Sequence, residues 1–324
     1  MQKRDAVIAA TLKQTAWAGW QSEAIAGDAS TRRYFRLSNG EASVILMDAP
    51  PETCHDTGRF VEIATHLTAH GFAAPEILHR DLSLGIVVLS DLGLSDFVRH
   101  LNASPHEEAL LYENATDVLV RLSQTPAPQM LSRLTPEVGA RMIHPLGEHY
   151  GVENLRQIQD LLLAALQSYA PTADTLSLRD YHAENLIWRP QLTGIDRVGL
   201  LDFQDAFIAP AGYDLASLLR DARRDVDPRV ADRLISAFAE EIRMETAQFS
   251  AQFATLAVQR NLRILGIFAK LVGQDRKPKY LPLMNRVWQS ILTDLHHDAL
   301  SDLRLAVLQN VPAPDQDHLK RFAV

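Results

Sequence analysis

A single cysteine, Cys54, serves all 324 residues. It cannot close an internal disulfide or build a cysteine-rich zinc site, so the fold depends on its core and a reducing compartment suits it. Long apolar runs are missing as well. The longest stretches, such as Leu161 to Leu166, fall far short of the roughly 18 residues that suggest a membrane span. The opening run MQKRDAVIAATLKQTAWAGW starts basic but then interrupts its apolar residues with lysine, glutamine and tryptophan, unlike a secretory signal. A cytoplasmic protein with no membrane partner is expected. Positive charge is in the minority, 32 basic against 40 acidic residues for a net charge of -8, the wrong sign for neutralising nucleic-acid phosphates. Nucleic acid is therefore excluded as an expected partner. Neither G-x-S-x-G nor H-E-x-x-H occurs, which removes the hydrolase elbow and the helical zinc protease.

What remains is globular: 47% hydrophobic and 22% charged residues, with length enough for two lobes at about 150 residues per domain. In the first ninety residues, extended segments at Glu23 to Ile25, Tyr34 to Leu37, Ser43 to Met47, Glu76 to His79 and Ile86 to Leu89 predict a small antiparallel sheet. Asp56 to His70 carries Phe60, Ile63, Ala64 and Leu67 at helical spacing, closed by Gly71. After a connector at Asp91, Leu92 and Gly93 the periodicity becomes helical: His106 to Leu122, Pro136 to His149, Asn154 to Ser168, Pro228 to Met244, Ala247 to Leu271 and Pro282 to Leu295. The expectation is an α+β chain, with a sheet lobe over residues 1–92 and a larger, mainly helical lobe over 93–324. The polar tail from Pro312 to Lys320 reads as loosely attached.

Within the helical part lies one non-helical island, Thr175 to Ala209, whose segments Leu186 to Trp188 and Val198 to Leu201 read as strands. Its first run, LRDYHAENLIW, separates Asp180 from Asn185 by five positions; its second, VGLLDFQDA, sets Asp202 after a strand. An Asp, then an Asn, then a hairpin and a second Asp is the order of kinase-like phosphotransferases. The chemistry needs those types. Mg²⁺ is a hard ion that takes oxygen ligands, which an amide and a carboxylate supply, while the first Asp can orient an acceptor hydroxyl and accept its proton.

These runs, over nearly the whole length, resemble the aminoglycoside phosphotransferase and choline kinase branch of the protein-kinase-like fold. More narrowly, DASTRRYFRL, LMDAPPE, LSDLG, RDYHAENL, LLDFQDA and YDLASLLRDA resemble the bacterial anomeric kinases of N-acetylmuramate and N-acetylglucosamine. The resemblance implies ATP and Mg²⁺ as cofactors, an amino sugar as substrate, phosphorylation of its anomeric hydroxyl to the α-1-phosphate, and a place in recycling of cell-wall sugars. It implies Asp180 as the base and Asn185 and Asp202 as the Mg²⁺ ligands. The turn from Gly27 to Arg33 would cover the phosphates, with Ser30, Thr31, Arg32 and Arg33 as its contacts. Ser90, Asp91 and Leu92 would form the adenine connector through backbone groups, so that side chains there matter little. One departure stands out: Met47 occupies the strand position of the usual phosphate-binding lysine, leaving Arg32 or Arg33, or neither, to replace its charge.

The remaining polar residues keep two readings each. Arg179 and His182 brace the loop or act in it. Glu184 binds the acceptor or lies exposed, Asp205 binds the acceptor or helps to organise metal, and Arg260 and Arg263 grip the lactyl carboxylate of N-acetylmuramate or face solvent. Glu62 reads as a surface residue, His296 and His297 as solvated positions, and Asp214 as the cap of a helix start. An aminoglycoside kinase and an ATP-binding pseudokinase are the rival functions, and a monomer is expected.

Overall fold

The computed structural model describes residues 2–25 and 32–322. Its contacts gather into two units, Met1–Asp96 with Leu186–Gln204, and Phe97–Asn185 with Asp205–Val324. The segment Leu186–Gln204 joins the sheet unit despite its place in the chain. Nine strands are formed among the described residues: β1 (Gln21–Ile25), β2 (Arg33–Ser38), β3 (Ser43–Asp48), β4 (Ile77–Asp81), β5 (Ile86–Ser90), β6 (Thr175–Ser177), β7 (Leu186–Trp188), β8 (Val198–Leu200) and β9 (Phe207–Ala209).

In the first unit the sheet runs β1-β2-β3-β5-β4, every pair antiparallel. Strand side chains alternate between faces. Leu37, Val44, Leu46, Ile86 and Val88 accordingly share one core with Ile8 of helix α1 (Gln2–Leu12), and Trp17, Trp20 and Phe35 pack against it. Helix α2 (Thr57–Ala69) buries Phe60, Ile63, Ala64 and Leu67 as its periodicity predicts. It closes at Gly71, whose φ of +80° lets the Phe72 amide reach back to the Leu67 carbonyl at 3.0 Å. The β7–β8 hairpin is tied into this unit by its backbone: the Trp188 amide donates to Ser95 O at 2.8 Å, and the Leu200 amide to Ala73 O at 2.9 Å.

The second unit is helical: α3 (Phe97–Ala103), α4 (Glu108–Ser123), α5 (Pro136–Arg141), α6 (Leu155–Tyr169), α7 (Tyr213–Leu219), α8 (Pro228–Glu241), α9 (Thr246–Gly273), α10 (Leu283–Leu295), α11 (Ser301–Asn310) and α12 (Gln316–Leu319). The short pair β6–β9 completes it. Helix α9 is buried over most of its 28 residues and packs against α6, α7, α8 and α10. A helix apolar nearly all round has to lie inside its unit.

Two expectations are corrected here. The helix expected over Pro136 to His149 breaks after Arg141 and ends in a π-helical turn, Leu146–Tyr150. Pro145 has no amide hydrogen to continue an α-helix and restricts the residue before it. The tail is docked rather than loose. Tyr150 donates its hydroxyl to Pro312 O at 2.9 Å, and its ring packs on His318 and Phe322 at 4.5 and 5.8 Å.

Candidate active site

In the second unit, β6 leads into the loop that carries Asp180 and Asn185, and Asp214 of α7 holds the junction. Its buried carboxylate accepts from the Ser177 hydroxyl at 2.7 Å, the Leu178 amide at 2.6 Å and the Arg179 amide at 2.9 Å. Arg179 takes a left-handed φ of +72° to present that amide. Asp214 therefore does not cap its own helix, as its position suggested; α7 starts at Tyr213, and the carboxylate serves the loop instead. Burial pushes the Asp214 pKa up to about 6, against the three donors, which favour the charged form.

Further along, Tyr181 anchors the loop by donating to Ala115 O of α4 at 2.8 Å. The Asn185 side-chain nitrogen donates to Asp180 O at 2.9 Å and lies 3.3 Å from His182 Nε2. His182 is buried, and burial, with Arg223 and Arg260 adding to it, holds its pKa well below the usual imidazole value. It is neutral at pH 7 and serves as an acceptor for Asn185, a bracing arrangement. Arg179 likewise braces through its backbone, while its Nη1 lies 3.6 Å from Asp205 Oδ2. Glu184 is paired to Arg223 Nε at 2.6 Å.

Arg260 of α9 does not face solvent, and Arg263 is half-buried. Arg260 is 4% exposed, with Nη1 3.4 Å from Asn261 Oδ1. Arg263, one turn on, loses solvation through burial, which lowers its pKa, and it interacts with Tyr213, Arg179, Asp180 and Arg260. The second unit thus brings Asp180 together with a concentration of positive charge. The sequence hinted at these two arginines but not at the burial of Arg260, because burial on α9 is set by the helices that pack around it.

In the first unit, Asp202 follows β8 with a left-handed φ of +57°, and its Oδ1 accepts from Gln204 at 2.6 Å. A non-glycine residue in that region costs free energy and concentrates at functional sites. Its neighbour Phe203 is fully buried and stacks on Phe60 of α2 at 5.2 Å. The connector Ser90, Asp91 and Leu92 is shaped by side chains, contrary to expectation. Asp91 takes Arg36 bidentately at 2.6 and 3.0 Å, the Ser43 hydroxyl at 2.7 Å and the Gly93 amide at 2.9 Å. Burial raises its pKa, but these donors outweigh burial and hold it below the usual carboxylate value. The Ser90 hydroxyl accepts from the Glu76 amide at 2.8 Å, and Leu92 lies against Gly199.

Of the phosphate-turn candidates, Ser30 and Thr31 lie outside the described residues. Arg33 is bound to Asp48 and Asp5, and Arg32 to Asp56. Asp48, fully buried and held also by Arg4 at 2.7 Å, was missed in the sequence, where nothing near it marks it as charged core. Met47 is buried, and Glu62 is exposed, as expected for a surface residue.

An antiparallel sheet with its helix, followed by a helical unit that carries the Asp180–Asn185 loop, defines a protein-kinase-like phosphotransferase. Residues 22–249 match the profile of the phosphotransferase enzyme family, and the chain belongs to that family, of ATP-dependent kinases that act on a hydroxyl acceptor. It is 35% identical to the N-acetylmuramate/N-acetylglucosamine kinase of Caulobacter vibrioides, over 96% of this chain and 97% of its relative. It is 33% identical to the kinase of the same name from Neisseria meningitidis serogroup B, over 81% of each. Its fold is similar to that of a choline/ethanolamine kinase family protein from Mesorhizobium loti, with a TM-score of 0.64 at 15% identity, covering 95% of this chain and all of the other.

Proposed function

We propose that this chain uses Mg-ATP to phosphorylate the anomeric hydroxyl of N-acetylmuramate and N-acetylglucosamine, yielding the α-1-phosphate in the recycling of cell-wall sugars. The observation that carries the reading is Asp180 interacting with Arg263, a guanidinium that also has Arg179 and Arg260 near it. A base next to half-buried positive charge suits a neutral or anionic sugar, and an arginine fork suits the carboxylate of N-acetylmuramate. A polycationic aminoglycoside would meet repulsion there. The relatives at 35% and 33% identity, named for these two sugars, support the same substrate class.

In the proposed reaction Asp180 aligns the anomeric hydroxyl and accepts its proton as the oxygen bonds to the γ-phosphorus. The bond from that phosphorus to the β–γ bridging oxygen breaks, and ADP leaves. Asn185 and Asp202 fit Mg²⁺ by donor type, a hard amide oxygen and a carboxylate. The commitment of the Asn185 nitrogen to Asp180 O orients the amide, making its oxygen the end that accepts a cation. Bound there, Mg²⁺ would offset charge on the phosphates. Glu184 and Asp205, each beside an arginine, are the further contacts proposed for the sugar, and the Ser90–Leu92 connector is that proposed for adenine.

The test is ADP release with Mg-ATP and a panel of N-acetylmuramate, N-acetylglucosamine, glucosamine and kanamycin, followed by NMR of the product. A 1-phosphate of the N-acetyl sugars is expected. Asp180→Asn should lower turnover by about 10²–10⁴-fold with ADP affinity retained, and Arg263→Gln should raise KM for N-acetylmuramate about tenfold while sparing N-acetylglucosamine. Phosphate on kanamycin alone would move the chain to the antibiotic kinases, and silence across the panel despite ATP binding would favour a pseudokinase.

A further inference from the structure

The missing strand lysine can be traced through the register of the sheet. β2 and β3 pair Tyr34 with Met47 and Arg33 with Asp48. Side chains alternate, so Tyr34 and Met47 share one face and Arg33 and Asp48 the other. Arg33 is committed to that second face: its Nε and Nη2 lie 2.8 and 2.7 Å from Asp48 Oδ2, and its Nη1 lies 3.1 Å from Asp5 of α1. Arg32 precedes it by one residue and so takes the face of Met47.

There the Arg32 side chain is 5% exposed, with Nη2 2.7 Å from Asp56 Oδ1 at the start of α2. Its guanidinium carbon sits 5.8 Å from the centre of the Phe60 ring, the same ring that stacks on Phe203 beside Asp202. Burial raises the pKa of the Tyr34 hydroxyl; Arg32, through charge and a hydrogen bond, and Asp202 also act on it. Arg32, Tyr34 and Asp202 therefore occupy one neighbourhood of the first unit, on the face where Met47 supplies no charge. Glu62, the helix residue that would ordinarily pair with a strand lysine, points to solvent.

We propose that Arg32, aimed by Asp56, is the cation that meets the nucleotide phosphates in this chain, the strand-lysine and helix-glutamate pair being rebuilt as Arg32 and Asp56. The inference rests on the ATP-dependent reading above. It deepens that reading by choosing between the two arginines and naming the partner that orients one of them. A guanidinium keeps its charge when buried and offers two parallel N–H donors to two phosphate oxygens, a geometry that suits the α- and β-phosphates.

The experiment is calorimetric titration of the full chain with adenosine and with Mg-ADP. Arg32→Ala should weaken ADP at least tenfold and leave adenosine within about twofold, and Asp56→Asn should give a smaller loss confined to ADP. Met47→Lys added to Arg32→Ala should recover part of the ADP affinity. Equal losses for adenosine and ADP, as a merely structural role would give, or an unchanged ADP affinity, overturn the proposal. Should Arg32→Ala melt well below the wild type, Arg32→Lys decides: ADP weakened with adenosine unchanged supports the assignment, and parallel behaviour of the two ligands refutes it. The titration needs no acceptor, so an error in the sugar assignment would leave it untouched. Wild-type protein that fails to bind Mg-ADP at all would instead end the kinase reading.

Discussion

At the scale of single residues, Asp214 controls the loop that carries Asp180. Three donors converge on its carboxylate, yet burial lifts its pKa from 3.8 to about 6. The folded chain then keeps a proton that the unfolded chain has already released between about pH 4 and pH 6. Stability from this group is fully present below about pH 4, falls as pH rises through that window and is flat above about 6; two pH units correspond to about 3 kcal/mol. Subtracting the urea-unfolding free energies of Asp214→Asn from those of the wild type, pH by pH, isolates the slope, because Asp221 and Asp294, also raised by burial, are present in both proteins. A flat difference between pH 4 and 6 would contradict the assignment. Asp91 is the opposite case: Arg36, Ser43 and the Gly93 amide keep it charged, and its side chain folds the connector.

At the scale of elements, α9 is the beam of the second unit, and it passes close against the start of the π-helical turn Leu146–Tyr150. Gly266 makes that approach possible: a Cβ there would overlap the backbone at Pro145 and Leu146. Helix propensity alone favours alanine over glycine by about 1 kcal/mol. The overlap with backbone, which cannot swing aside as a side chain can, reverses the sign. Gly266→Ala is expected to destabilise by about 1–3 kcal/mol, the range for overpacked cores, read as a lower urea midpoint at unchanged m-value. A stabilised variant would mean that the crossing has room. The same turn receives the tail, since Tyr150 supplies both the hydroxyl for Pro312 and the ring for His318 and Phe322.

At the scale of the whole molecule, ligand binding and stability are linked, because a ligand that binds only the folded state raises the unfolding free energy by about 2.7 kcal/mol at a hundredfold excess over its Kd. For a chain of this size that is a melting shift of about 5 °C. Mg-ADP should give such a shift in the wild type, ADP with EDTA a smaller one, and Asp202→Ala only the smaller one under both conditions. Equal shifts with and without Mg²⁺ in the wild type would remove Asp202 from the proposed metal site. The net charge of -8 acts at this scale too. It disfavours nucleic-acid binding while leaving the positive charge of Arg263 beside Asp180, which only the folded arrangement of α9 creates.

Much of this is legible in the sequence alone. Alternation in β2 and β3, and helical spacing in α2, α6 and α10, are written between near neighbours, as is the spacing of Asp180, Asn185 and Asp202. Local patterns of that kind survive folding because they cause it. Other features join residues far apart, and no window of sequence contains them. Asp214 serves amides 35 and 36 positions back. Arg33 is spent on Asp48 and Asp5, which separates it from Arg32. Arg260 is buried because α9 is enclosed by other helices, and the tail is held because Tyr150 lies where it passes. Sequence by itself determined the elements and the reactive spacing; tertiary structure decided which charges are buried and which partner each one meets, because desolvation and ion pairing depend on neighbours that the chain brings together only when it folds.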